Sequence, residues 1–357
     1  MAVIPLYLDF RGLSYLEIGV ISSLSSLPMI ALPVLAGRAA DTWGSKTIIR
    51  ASQIGSFLLT PLYILAGNFT TLLLLQLIIP PLYSIAEALS STISVETAKA
   101  NQIGVNLGIL RSAAAGWSIG SFSTGLIMQR YGYTFVFVFM AVFYFIAFLF
   151  TTQLKDTNSA KLTTSKMEPI MAILRNFHVL LFLAITIIAL STMPAFYSFL
   201  PLYLKNELLV SESLIPLVFT ITPLGEIPLT YLVGQLSDRF DRLKAVLLCL
   251  LAYPIRWTAI MILGNFTLIL PIQILHGFTF AGLNATSIAY LSTIIPPSAR
   301  GTIIGIFSAS FSLAITIGGY VLGLTVQIYG FRTMYLQAII TSLIAIVILI
   351  LTINKNK

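Results

Sequence analysis

The sequence predicts an all-α membrane protein made of two related six-helix bundles. Of its 357 residues, 57% are hydrophobic and only 9% are charged, whereas a soluble domain carries about 25% charged residues. Apolar runs of about 20 residues, the length that crosses a bilayer, alternate with short polar loops. An internal repeat divides these runs into two sets. The composition, the runs and the repeat together predict the fold class.

The repeat is marked by a short polar hairpin that occurs twice. Residues 37–46 and 234–244 each place an Asp four positions after a Gly and follow it with cationic residues. Gly67-Asn68-Phe69-Thr70 returns at the same offset of 197 as Gly264-Asn265-Phe266-Thr267. Because unrelated matches would not share one offset, the chain consists of two copies of one unit.

The apolar runs predict eleven complete spans, which we number as helices 2 to 12. They cover residues 14–37, 46–67, 70–96, 103–127, 132–152, 177–204, 213–236, 244–263, 268–293, 301–326 and 331–353. Helix 1 is present only as its last turns, because Pro5-Leu6-Tyr7-Leu8 matches Pro201-Leu202-Tyr203-Leu204 at the end of helix 7. Either the start is misassigned or the protein is truncated, and a natural eleven-helix form is the alternative.

The predicted domain boundaries follow from the repeat. An N-terminal six-helix bundle with a partial first helix covers residues 1–152, and a C-terminal six-helix bundle covers residues 177–357. Between them, residues 153–176 form a polar linker rich in Lys, Ser and Thr. We expect this linker to let the two bundles move relative to one another.

The cationic residues predict the orientation, because cytoplasmic loops are enriched in Lys and Arg. The loops on one side hold only Arg11, Arg130, Lys205 and Arg332, and the remaining loop Lys and Arg lie on the other side. Both hairpins, the linker and the C-terminus are therefore predicted to be cytoplasmic, in a multi-pass protein of the plasma or inner membrane. Cations scattered through short loops do not indicate nucleic-acid binding.

A small set of ionisable side chains falls within the predicted spans, where a charge is costly and marks a functional candidate. Glu226 on helix 8, Arg256 on helix 9 and His276 on helix 10 lie on consecutive helices. An acid, a guanidinium and an imidazole at this depth can satisfy one another, bind hydroxyls and carry a proton. The first half supplies Glu87, Glu96 and Arg111.

The two homologous halves, with a hairpin after helix 2 and another after helix 8, resemble the major facilitator superfamily over the whole chain. The resemblance implies that the hairpins control the inward gate. The matching residues are Gly37, Asp41, Gly44, Lys46, Gly234, Asp238, Arg239 and Arg242. The chain departs from the family pattern at Thr42, at Ser45 and at Asp241, the last of which replaces a usual Gly.

The second half is similar to the lactose permease and its relatives among sugar, nucleoside and phenylpropionate transporters. Gly225-Glu226, Arg256 and Leu275-His276 match in residue type and helix order, which implies a sugar and proton site. Three residues after the histidine, the permease has a proton-carrying Glu and this chain has Thr279. Three residues before it, the permease has a Lys and this chain has Gln273. The permease's proton relay is therefore incomplete here.

The first half matches the permease less closely. Glu96, Arg111 and Gly116-Trp117 are similar to its substrate acid, its arginine and its stacking tryptophan. Arg111 lies one residue closer to the tryptophan, which turns it by about 100° around the helix. Glu87 lies nine residues before Glu96, at a different depth, and is either a buried proton site or a neutral packing residue. Trp117 is likewise either part of the site or packing.

Glycines and prolines predict the shape of the helices. Small residues let membrane helices approach closely, and the glycines expected to do so are Gly116, Gly120, Gly125, Gly318, Gly319 and Gly323. Prolines bend helices that line a cavity, and those in matching places are Pro28, Pro33, Pro223 and Pro228.

These features predict a secondary transporter with its substrate site between the bundles at mid-membrane. Without a nucleotide-binding loop, the expected driving force is an ion or solute gradient. The expected partners are a small polar solute such as a sugar or nucleoside, protons and the lipid bilayer, and we expect a monomer. Residues 201–228 also resemble bacterial sugar-efflux proteins.

Two alternatives stay open. One is a drug or metabolite efflux transporter. The other, from a different class, is a non-transporting nutrient sensor, although residues 354–357 form only a short tail. We expect no enzyme, because no His, Glu and Asp cluster has metal-ligand spacing. The single cysteine, Cys249, cannot form a disulfide or a thiolate metal site within the chain, and no metal or cofactor is expected.

Overall fold

A computed structural model describes residues 3–96, 114–153, 173–239, 241–296 and 299–355, and all regular secondary structure in these ranges is helical. Helices α1 to α7 of the first half are Val3–Phe10, Tyr15–Ser26, Pro28–Trp43, Ser45–Leu59, Leu62–Leu65, Phe69–Glu96 and Ala114–Thr151. Helices α8 to α14 of the second half are Phe177–Leu190, Leu200–Asn206, Pro216–Arg239, Arg242–Leu263, Phe266–Ile272, Leu283–Ile294 and Arg300–Lys355.

Nine helical stretches in the described ranges are long and apolar enough to cross a membrane. The two longest, Gly116–Thr151 and Thr302–Asn354, are interrupted by Gly132 and Gly330. These glycines have φ of 74° and 80°, which glycine adopts without a Cβ clash. Each ends one helix and starts the next at a predicted boundary. The count of eleven complete spans stays a prediction.

Short non-α segments interrupt the predicted helices 7 and 10. Ala195–Phe199 and Gly277–Gly282 form π-helices, and Gln273–Leu275 forms a 3₁₀-helix just before the second of them. Such segments change the register of the side chains that follow and are frequent at functional sites. The two irregular regions face each other, because the Tyr197 hydroxyl lies 3.2 Å from the His276 Nε2.

The repeated Asn-Phe-Thr sequence has the same local role in both halves. Asn68 Oδ1 accepts a hydrogen bond from the Thr71 N–H at 2.9 Å, and Asn265 Oδ1 accepts one from the Thr267 N–H at 2.9 Å. Each Asn thus satisfies a free N–H at the start of a helix, as N-cap residues do. Helix capping explains why the Asn occurs in both copies.

The two halves meet where α2 packs against α14. A Cβ added to Gly19 would lie 2.5 Å from the Gly319 carbonyl oxygen and 2.9 Å from the Gly323 Cα. Two hydroxyls, of Ser26 and Thr316, lie 2.6 Å apart across the same contact. We call these five residues the small-residue seam. Only small side chains permit backbones to approach this closely.

Other predicted contact glycines also meet a neighbouring helix. A Cβ added to Gly125 would lie 2.5 Å from the Ser213 carbonyl oxygen, and one added to Gly318 would collide with the backbone of Ser191. Within the described part of the chain, no atom lies within 4 Å of a Cβ added to Gly120, and the same holds for Gly116. These last two glycines therefore mark no helix contact there.

Polar side chains join the halves beside the seam. Lys205 Nζ lies 2.8 Å from Asp9 and 2.7 Å from Glu212. Asn206 donates to Asp9 at 3.3 Å, and the Tyr133 hydroxyl donates to Glu212. Asp9 and Tyr133 belong to the first half and the other three residues to the second. We call the five residues the inter-half ionic network.

A second, smaller group of buried side chains lies near the first hairpin. It is a hydrophobic cluster formed by Ala36, Ala40, Ile49, Ile85, Ala86, Leu89 and Ile93. The inter-half ionic network lies beyond the start of α2, at the end away from this hairpin. The small-residue seam runs along α2 from Gly19 to its last residue, Ser26.

Candidate functional site

Glu226, Arg256 and His276 lie together in the second half, on α10, on α11 and between the 3₁₀ and π segments. Close backbone packing brings them into contact. A Cβ on Gly225 would lie 2.7 Å from the backbone of the segment that carries His276, and one on Gly277 would lie 2.7 Å from the Gly225 carbonyl oxygen. A larger residue at either glycine would hold α10 away from His276. We call the three ionisable residues the triad.

Arg256 is the most enclosed member of the triad, with 0% of its surface exposed. Its Nη2 donates to Gln273 Oε1 at 2.7 Å, and its Nη1 donates to Thr279 Oγ1 at 3.1 Å and to His276 Nδ1 at 2.8 Å. The guanidinium carbon also lies 4.3 Å from the centre of the Phe196 ring. A buried charge is tolerated when hydrogen bonds and an aromatic face replace its hydration.

His276 connects Arg256 to Glu226. Because an arginine N–H can only donate, His276 Nδ1 is an acceptor and the ring hydrogen is assigned to Nε2. That nitrogen lies 3.4 Å from Glu226 Oε1 and 3.2 Å from the Tyr197 hydroxyl. The ring also stacks on Phe280, with centroids 5.4 Å apart. Both nitrogens and one face of the ring are therefore engaged.

Glu226 is the member of the triad that reaches the accessible surface. Its side chain is 23% exposed, whereas that of His276 is 1% exposed. From the sequence we expect all three residues to face one cavity between the halves, together with Trp117. In this conformation a molecule arriving at the triad would meet the Glu226 carboxylate first, with His276 and Arg256 behind it.

Three further polar side chains hydrogen-bond to the triad and were not predicted as site residues. Tyr197, Gln273 and Thr279 each bond to Arg256 or His276. Gln273 and Thr279 were noted in the sequence only as departures from the permease pattern. Their spacing could have assigned them to the site, because residues three positions apart share one face of a helix.

In the first half, Tyr83 links two of the predicted residues. Tyr83 lies near both Trp117 and Glu87. Glu87 is exposed on α6, and Trp117 is 41% exposed. Whether Glu87 is a proton site or a packing residue stays a prediction. Arg111 and the side chain of Glu96 lie outside the described residues.

The two hairpins turn in different ways. In the first, Gly44 separates α3 from α4 with φ of 82°. In the second, Asp241 occupies the matching place with φ of −62°, and its Oδ1 accepts a hydrogen bond from the Leu243 N–H at 2.8 Å. The second hairpin therefore needs no glycine at this position, because an N-cap replaces the left-handed turn. This explains why Asp241 departs from the family pattern.

The structure gives the positions of most of the other predicted hairpin residues. Gly37 lies within α3, Gly234 lies within α10, and Arg242 Nη1 donates to the Ala289 carbonyl oxygen at 3.3 Å. Lys46 and Arg239 lie at the start of α4 and the end of α10. The side chains of Asp41 and Asp238 fall outside the described residues, so the gating role of the hairpins stays a prediction.

Comparison with known proteins establishes the class. The MFS_1 like family matches residues 3–337, so the chain belongs to this family of major facilitator transporters. It is a multi-pass membrane transporter and not an enzyme.

Individual relatives agree with this assignment. An uncharacterised MFS-type transporter of Methanocaldococcus jannaschii is 21% identical over 99% of this chain and 93% of that protein. The sugar efflux transporter A of Dickeya chrysanthemi is 25% identical over 39% of this chain and 35% of that protein. A crystal structure of a mutant of the nucleoside transporter NupG superposes with a TM-score of 0.88 at 16% identity, covering 98% of this chain and 94% of that one. The superposition shows that the fold is shared.

Proposed function

We propose that this protein carries a small polar organic solute, such as a sugar or a nucleoside, by alternating access coupled to a proton gradient. The supporting observation is the buried triad, in which only the Glu226 carboxylate reaches the accessible surface. A carboxylate accepts hydrogen bonds from hydroxyl groups and can also take up a proton. The names of one relative and one structural neighbour, a sugar efflux transporter and a nucleoside transporter, fit such a solute.

The contacts between the halves support alternating access as the mechanism. The inter-half ionic network closes the end opposite the hairpins, and the small-residue seam holds the halves together along α2. With the hairpins in the cytoplasm, as the Lys and Arg distribution predicts, we infer that this state is closed on the side away from the cytoplasm. Transport then requires a second state, in which the seam separates and the hairpin ends come together. We further propose that the protein works as a monomer in the plasma or inner membrane.

Counterflow in proteoliposomes tests the proposed function. Liposomes loaded with one unlabelled solute are diluted into a trace of the same labelled solute, and the panel includes neutral sugars, nucleosides, uronic acids and common exporter substrates. Transient accumulation of the label with a sugar or nucleoside is the expected result. Accumulation with exporter substrates alone would instead support the efflux alternative.

The hairpins provide a prediction about gating. Asp41→Asn and Asp238→Asn should each lower transport while expression stays near the wild-type level, because they change a charge at a helix end and not the core. Counterflow rates and the melting temperature of the purified variants measure the two effects. Asp41→Glu, which keeps the carboxylate, serves as the control. Full transport by the double Asn variant would contradict a role in the gate.

A further inference from the structure

Gln273 holds the Arg256 guanidinium in one orientation. It is fully buried at 0% exposure, and its Nε2 donates to the Ile269 carbonyl oxygen at 3.0 Å. Because the amide nitrogen is engaged in this way, Oε1 is the atom that faces Arg256 and accepts from Nη2 at 2.7 Å. The amide therefore cannot flip without losing both hydrogen bonds.

Thr279 fixes the other end of the guanidinium. It is also 0% exposed, and its Oγ1 accepts from Arg256 Nη1 at 3.1 Å. The Thr279 hydroxyl hydrogen lies toward the His276 carbonyl oxygen, at an O–O distance of 3.4 Å. The two hydrogens of Nη1 are then divided between Thr279 and His276 Nδ1. An N–H of Arg256 thus points at the imidazole.

The orientation of Arg256 determines where His276 carries its hydrogen. A hydrogen on Nδ1 would face the Nη1 donor across 2.8 Å, and a protonated ring would also place two cations in contact. His276 is therefore neutral with its hydrogen on Nε2, the nitrogen nearest Glu226 Oε1 at 3.4 Å. Arg256 and Glu226 therefore approach opposite nitrogens of the same imidazole.

We propose that Gln273 and Thr279 are positioning residues that act through Arg256. They hold His276 in the Nε2–H tautomer, with Nε2 beside the Tyr197 hydroxyl at 3.2 Å and the Glu226 carboxylate at 3.4 Å. The role of this tautomer in transport rests on the function proposed above, in which Glu226 binds the solute or a proton beside a neutral imidazole. The tautomer itself does not depend on that function.

Histidine-specific ¹⁵N labelling tests the proposal. The chain has 2 histidines, and the other one, His178, is exposed, so His178→Gln leaves a single imidazole to observe. Solid-state NMR of this variant in lipid distinguishes the Nε2–H tautomer, the Nδ1–H tautomer and the imidazolium. We expect one population, Nε2–H. A ring with its hydrogen on Nδ1, or a charged ring at neutral pH, would overturn the proposal without any transport measurement.

Substitutions identify which residues set the tautomer. Thr279→Val and Gln273→Leu should each lose the single population and add an Nδ1–H signal, whereas Thr279→Ser and Gln273→Glu, which retain an acceptor oxygen, should keep it. Thr286→Val is the matched control, because Thr286 is 1% exposed and bonds to the backbone at Gly282, away from the triad. An unchanged Nε2–H signal in Thr279→Val and in Gln273→Leu would show that neither residue positions the ring.

Transport assays on the same variants separate this inference from the proposed function. We expect Thr279→Val to lower the rate of gradient-driven uptake more than the rate of solute exchange. Thr279→Ser should restore the rate of gradient-driven uptake. Failure of wild-type counterflow with an intact tautomer signal would reject the transport proposal alone. A shifted tautomer with unaltered coupling would reject the link between positioning and transport. If Gln273→Leu does not fold, the wild-type spectrum and the Thr279 pair still decide the outcome.

Discussion

Glu226→Gln is expected to abolish uptake driven by a pH gradient and to leave solute exchange at an equal pH intact. Glutamine has the same shape and keeps an oxygen near His276 Nε2, which lies 3.4 Å from the Glu226 carboxylate. It cannot ionise, so it cannot carry a proton between the two sides. Exchange requires only binding and reorientation, and both remain possible. Proteoliposomes with and without an imposed pH gradient give the two rates.

His276→Gln and Glu87→Gln are the comparisons that make this prediction decisive. His276 already presents Nδ1 to a guanidinium donor at 2.8 Å, which disfavours a second ring proton, so its replacement should weaken binding without uncoupling transport. Glu87 is exposed on α6 and is a described first-half acid that could carry the proton in place of Glu226. Uncoupling by His276→Gln, with both acid variants still coupled, would make the histidine the proton carrier and contradict the assignment.

Gly19→Ala is expected to hold the halves apart at the small-residue seam and so to shift the protein away from the state described above. The added Cβ would lie 2.5 Å from a backbone oxygen of Gly319 and 2.9 Å from the Cα of Gly323, and backbone atoms cannot rotate away. Overpacking of this kind costs about 1–3 kcal/mol. Because the clash exists in one state only, the populations should change by about 5- to 150-fold.

A cysteine reporter on α2 measures that shift. Ser22 bonds to Ser198 of the second half at 2.8 Å, so a cysteine at position 22 should react slowly with an impermeant maleimide while the seam is closed. The buried Cys249 is first replaced by alanine. Gly19→Ala should speed the reaction, whereas Gly120→Ala should not, since no described atom lies within 4 Å of its added Cβ. Equal rates in the two variants would mean that the seam does not control opening.

The sequence predicted best those features that the lipid bilayer constrains directly, which are the membrane spans and the charges within them. Backbone groups in lipid must bond within their own helix, so spans appear as uninterrupted apolar runs. Charges are rare at that depth, so Glu226, Arg256 and His276 stood out, and the structure brings the three into contact. The repeat also aligned the hairpins, although it could not show that Asp241 replaces a glycine by capping a helix.

The features that the sequence did not predict are contacts between residues that lie far apart in the chain. Nothing in Ala195–Phe199 marks a π-helix, yet that segment places Phe196 and Tyr197 against His276. Gln273 is an ordinary polar residue in the sequence and acquires its role only because Arg256 from another helix reaches it. Asp9, Lys205 and Glu212 look like unrelated loop charges until the folded halves bring them together.

The inter-half ionic network makes closure of one face depend on salt. Lys205 serves two carboxylates, of Asp9 and Glu212, which are 18% and 30% exposed. Dissolved ions screen such pairs, with a Debye length of about 8 Å at 0.15 M ionic strength. The small-residue seam is held by close packing of uncharged residues, so dissolved salt should affect it less. Salt added on the side opposite the hairpins should therefore loosen that face, while the same salt on the hairpin side should not, and maleimide labelling of the position-22 reporter measures the difference. The transporter would then sense the salinity of a single compartment.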